Sequence, residues 1–136
     1  MLRMLLILAC IAGAAPAHAQ LSDSLVSGGQ LSGEWRGVGW QVDPGGTQSS
    51  WTISMRVAAG SAAIDYPSLG CRARLHEVRR HADEIEFREE ITQGPCIDRG
   101  RLVVRPMDGR LWWYWHDAQG RADASAVLYR AEDPIG

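Results

Sequence analysis

The chain contains no lysine, a single phenylalanine and no Cys-x-x-Cys pair, and beyond its first residues it has neither a long hydrophobic run nor an apolar stripe at helical spacing. Each absence removes a class of protein. Without a later apolar run, no helix in the body of the chain is long enough to cross a bilayer. Without Cys-x-x-Cys, a metal or redox role for the cysteines loses its main support. Without helical periodicity, the fold has to be built from strands. All positive charge is arginine, and 14 arginines against 16 acidic side chains give a net charge of −2, so there is no basic field for nucleic acid or an anionic membrane. No phosphate loop, dinucleotide fingerprint or zinc signature is present, and no cofactor is expected. Ser68, next to Gly70, lacks the G-x-S-x-G elbow of a serine nucleophile. His76, His81 and His116 lack Asp, Glu or Cys at ligand spacing, which predicts exposed histidines rather than a metal site. An enzyme is therefore not the expected reading.

What is there begins with a leader. Arg3, the apolar run Met4 to Ala15 and the Ala17-His18-Ala19 cleavage motif predict a secretory signal over residues 1–19, hence a protein exported to the periplasm or the extracellular space. Cys10 follows Ile7-Leu8-Ala9, but the apolar stretch before it is short for a lipidation signal, and the cysteine is read as discarded with the leader. Removing residues 1–19 from the 136 leaves 117, enough for one domain with one modest core. Residues 20–32 are Ser- and Gly-rich and read as a flexible segment, 33–131 as the domain, and 132–136 as a tail. Cys71 and Cys96 are the two cysteines that remain, and an oxidising compartment predicts that they pair. Their bond would close a loop of 26 residues, worth roughly 3.5 kcal/mol.

The domain reads as all-β. Trp51, Ile53, Met55 and Val57 alternate with polar residues, as do Cys71, Ala73 and Leu75, then Ile85, Phe87 and Ile91. Asp108-Gly109 is a two-residue hairpin signal, and Asp117 to Gly120 a longer turn. Eight short strands predict a small antiparallel up-and-down barrel with one disulfide, with a β-sandwich as the alternative. The barrel is preferred because closure removes sticky edges, and eight strands enclose room for side chains or one small ligand.

Within this frame some residues stand out. In Trp112-Trp113-Tyr114-Trp115 the phase puts Trp113 and Trp115 on one face and Trp112 and Tyr114 on the other, so some of these rings face outward or into a cavity. With Trp40 and Trp51 they are candidates for holding a sugar, an apolar ligand or a partner protein. Glu89 falls on an apolar face and needs a partner, for which Arg88 and Arg74 are the candidates, either in a structural pair or around a ligand. Glu84, Glu86 and Glu90 read as a solvated acidic face.

Two resemblances bear on these residues. Gly33-x-Trp35 with Arg130 resembles the lipocalin and avidin superfamily, which implies that Arg130 from the closing strand covers Trp35. Tyr66-Pro67-Ser68-Leu69-Gly70-Cys71, Phe87-Arg88-Glu89, Cys96-Ile97-Asp98-x-Gly100 and Ala126-Val127-Leu128-Tyr129-Arg130 resemble a family of small bacterial extracytoplasmic domains. These occur as free secreted proteins and as outer domains of some membrane serine/threonine kinases. The resemblance spans residues 33–131 and implies sensing or binding without a named ligand. Arg72-Ala73-Arg74 departs from the family's usual Gly or Thr after the first cysteine. The expectation is a secreted, non-enzymatic binding module for a small molecule or envelope component in the barrel mouth, or else a protein-binding inhibitor or immunity factor against a periplasmic hydrolase.

Overall fold

The computed structural model describes residues 31–132, so the expected signal sequence, Cys10, residues 20–30 and residues 133–136 lie outside the described part. Eight strands follow one another: β1 (Gly33–Val42), β2 (Gln48–Ala58), β3 (Ser61–Tyr66), β4 (Cys71–Arg80), β5 (Ile85–Gln93), β6 (Arg101–Met107), β7 (Arg110–His116) and β8 (Asp123–Arg130). Each pairs antiparallel with the next, and β8 returns to β1 with Arg130 opposite Trp35 and Ala126 opposite Gly39. The sheet is therefore a closed barrel, not a sandwich. Period-two alternation drives it: apolar residues at alternate positions turn inward, and closure satisfies the backbone groups that an open edge would expose. Asp108 and Gly109 both take positive φ, 53° and 74°, the two-residue turn whose twist suits a hairpin.

Most of the interior is filled. Met55, Ile64, Leu102, Val104, Leu111, Trp113 and Leu128 are all essentially inaccessible to solvent. The inward phase of β1 carries Trp35, Gly37 and Gly39, and a side chain at Gly39 would begin 2.9 Å from the Trp51 ring. Bare backbone there makes room for that indole.

The barrel has two unlike poles. At one, β1 starts and β8 ends, and the Arg130 guanidinium lies over the Trp35 ring with 4.4 Å between its central carbon and the ring centroid. Arg130 Nη1 donates to the Ser32 carbonyl at 2.8 Å, and Trp35 Nε1 donates to the Leu31 carbonyl at 3.0 Å. Leu31 is itself buried. The packed core thus includes Leu31, ahead of Gly33. A lone leucine among Ser and Gly has no period to announce it, yet it is the side chain that covers this pole. Arg130→Ala should cost ~1–2 kcal/mol by removing the cation from the indole face and the donor from Ser32, which urea denaturation would read.

The other pole, the mouth, is ringed by the turns over residues 43–47, 67–70, 94–100 and 117–122. Among the described residues no helix is long and apolar enough to cross a membrane.

Candidate functional site: the barrel mouth

Two of the motifs seen in the sequence build the mouth. Pro67 opens a single 3-10 turn over Pro67–Leu69, closed by Gly70 in the left-handed conformation. Ser68 Oγ accepts from the Thr52 backbone N–H at 2.9 Å and Thr52 Oγ1 accepts from the Ser68 N–H at 3.1 Å, a reciprocal clasp onto β2. The hydroxyl of Ser68 is thereby structural. Cys71 opens β4 and is joined to Cys96 in the β5–β6 loop, with Cα atoms 6.1 Å apart. Two residues on, Asp98 Oδ1 accepts from the N–H groups of Ile91 and Arg99, both at 2.9 Å, and so ties the loop back to β5. Those hydrogen bonds hold the Asp98 carboxyl below its ordinary value.

Between these motifs lies Glu89, only 2% exposed. Its partners are neither Arg88 nor Arg74. Tyr66 Oη donates to Oε1 at 2.6 Å and Trp115 Nε1 donates to Oε2 at 2.9 Å. The expectation of an arginine partner is corrected by strand phase. Arg74 stands opposite Glu90 on the outer wall, whereas Glu89 stands opposite Leu75 and points inward. Burial pushes the Glu89 carboxyl above its ordinary value, the hydrogen bonds from Tyr66 and Trp115 offset part of this, and the charge of Asp98 adds to it. Burial, then the charge of Glu89 and the hydrogen bond to it, hold the Tyr66 hydroxyl well above its ordinary value of 10.0, so Tyr66 remains a donor at neutral pH.

Gly100 lets this arrangement close. Its backbone carbonyl accepts from the Glu89 N–H at 2.8 Å, and a Cβ at this position would lie 2.1 Å from Trp115 Nε1 and 3.0 Å from Glu89 Oε2. Gly100→Ala must displace the indole, and should cost ~1–3 kcal/mol and break the Trp115–Glu89 hydrogen bond. Guanidinium denaturation and the tryptophan emission maximum would report the two effects.

Above Glu89 the barrel is hollow. A cavity of about 290 Å³ is walled by Trp51, Tyr66, Trp113 and Trp115, with Leu69 and Ile97 at its rim. Trp113 meets Tyr66 edge to face at 6.4 Å, and its Nε1 has no hydrogen-bond partner among the described residues. A cavity of about 380 Å³ at the opposite pole is lined by Leu31, Phe87 and residues of the β2–β3 turn, and its charged groups Glu77 and Arg80 are already paired. The mouth is the better candidate because it joins aromatic surface to a buried carboxylate.

The structure thus brings together Trp51, Glu89 and Trp113, and leaves Trp40, Trp112, Tyr114 and Arg74 outside. Trp40 is 55% exposed on the outer wall, on the same face as Tyr114 and Trp112, whose rings stack at 6.3 Å. Tyr66, Ile97 and Gly100 were not singled out from sequence as site residues, and Trp115 only as a member of the aromatic run. The available signal was phase: Tyr66 ends β3 in register with inward Ala62 and Ile64. On the outer wall His76 pairs with Glu90. Among the described residues no group of three or more His, Cys, Asp or Glu could hold a metal ion.

A scan against models of known protein families finds no match, and a search of curated proteins finds none either.

Proposed function

We propose that this domain is a non-enzymatic binding module, acting outside the cytoplasm, that holds a small and mainly apolar ligand in the barrel mouth. The observation that carries the reading is what meets in the mouth: a cavity into which three indoles and a buried carboxylate converge. A cavity of about 290 Å³ suits a compact molecule, at the low end of the range of ~300–1,000 Å³ for ligand sites. Export accords with the leader motif and with the Cys71–Cys96 bond, and the resemblance to extracytoplasmic sensing domains favours binding over catalysis. Titration with the neutral fluorophore N-phenyl-1-naphthylamine tests it. Saturable binding is expected, weakened by Trp51→Ala and abolished by Ile97→Asp at the rim. Binding that neither substitution alters would place the probe elsewhere and remove the mouth from the account.

The outer wall favours a second reading, an inhibitor or immunity factor against a periplasmic hydrolase. Val38, Trp40, Trp112, Tyr114 and Tyr129 are exposed there on adjoining strands β1, β8 and β7, an apolar patch of the kind that protein interfaces use. Affinity capture from an envelope extract separates the two: a partner lost with Trp112→Ala and retained with Trp51→Ala would support the patch over the mouth.

A further inference from the structure

We infer that the mouth takes a small organic cation, an amine or substituted ammonium group, with Glu89 as its counter-charge and the surrounding indole and phenol rings as its cage. The inference rests on the mouth being the ligand site and adds the chemistry of the ligand.

The first ground is the charge of the lining. Among the described residues no arginine or histidine borders this cavity, and besides Glu89 and the ring N–H and hydroxyl groups the polar side chains there are Gln41, Ser49 and Ser50. No cationic side chain among the described residues stands in the wall to offset the charge of an anion. The second is the state of Glu89. Elsewhere on the barrel, carboxylates meet guanidinium groups: Glu86 pairs with Arg79 and Arg101, and Glu84 with Arg105. Glu89 has two neutral donors and, among the described residues, no cation within ion-pairing distance, although Arg88 and Arg74 are its neighbours in sequence and sheet. A buried charge of this kind is costly until an opposite charge reaches it.

The third ground is the rings. Trp51, Tyr66, Trp113 and Trp115 surround the space, and the negative face of an aromatic ring attracts a cation, most strongly for tryptophan and in a desolvated setting. Tyr66 and Trp115 spend their polar hydrogens on Glu89, which leaves their π surfaces as what they offer a ligand. A neutral apolar occupant would gain contact area but would bury Glu89 deeper without compensating its charge. A cation gains from both the rings and the carboxylate.

Three probes of nearly one shape separate these cases: choline, its neutral carbon analogue 3,3-dimethylbutan-1-ol, and the anion 3,3-dimethylbutanoate, each titrated into the full chain by calorimetry and tryptophan fluorescence. Choline should bind at least about tenfold more tightly than the alcohol, and the butanoate not measurably. Glu89→Gln should bring choline down to the affinity of the alcohol. Should that variant fail to fold, Trp51→Leu, which leaves the hydrogen bonds of Glu89 untouched, should weaken choline more than the alcohol. Equal binding of choline and the alcohol, or preference for the butanoate, overturns the cation and leaves the mouth as a site. Binding of N-phenyl-1-naphthylamine without binding of choline overturns it in the same way. If none of these probes binds, the mouth itself is overturned as a ligand site.

Discussion

Glu89→Leu is expected to lower the unfolding free energy by about 3 kcal/mol, more than a surface charge would account for. The carboxylate is the acceptor for two buried donors, Tyr66 Oη and Trp115 Nε1. Leucine leaves both without a partner, at ~1–3 kcal/mol each. Part is regained because a carboxylate no longer has to be buried. Glu89→Gln should cost less, ~1–2 kcal/mol, since its carbonyl oxygen still accepts one of the two bonds. The pH dependence separates the charge from the hydrogen bonds. Because burial raises the Glu89 carboxyl, the folded chain keeps its proton more readily than the unfolded chain does. Its contribution to stability is fully present below the ordinary value of 4.5 and is lost as pH rises through the raised value. Asp98 and Asp117 act in the opposite sense. For Asp98 backbone hydrogen bonds dominate, and for Asp117 they outweigh an opposing effect of burial, so both carboxyls sit below 3.8 and their stabilisation disappears as pH falls through their lowered values. Urea denaturation at a series of pH values should therefore show wild type losing stability upward from about pH 4.5, with that limb absent in Glu89→Gln and the acid limb unchanged. An identical upward limb in both proteins would mean that Glu89 is not the group responsible.

The second large effect is loss of the disulfide. Cys71→Ser with Cys96→Ser, or reduction, should cost about 3.5 kcal/mol through the entropy returned to a loop of this length, and lower the melting temperature by roughly 15–25 °C. The structure adds a local consequence. Cys96 and Ile97 form part of the mouth's wall and are held against the 3-10 turn by the bond to Cys71. Probe binding at the mouth should fall in the reduced protein even at temperatures where circular dichroism still reports a folded barrel. Retention of full binding after reduction would show that the loop is positioned by Asp98 alone.

The architecture was legible in the sequence because most of its determinants are local. Alternation in β2, β4 and β5 and Asp108-Gly109 need only short windows to be read, and Cys71 and Cys96, although 25 residues apart, have no other cysteine to compete with once the expected leader is set aside. The site was legible in part. Glu89 showed itself as a carboxylate out of phase with its polar neighbours, a local anomaly. Its partners did not, because Tyr66 and Trp115 are 23 and 26 residues away along the chain and reach it across the barrel interior. Arg74 and Arg88 were attractive on charge alone, but strand phase turns both to the outside. Trp40 was pooled with Trp51 by residue type, although its even position in β1 sets it opposite in phase to inward Trp35. The cavity depends on what fails to fill a volume, and no window of sequence carries that quantity.

The pole where Arg130 lies over Trp35 is also where the strand order places both ends of the described domain. The opening lined with indoles therefore lies a full strand's length from the points at which the barrel is entered and left.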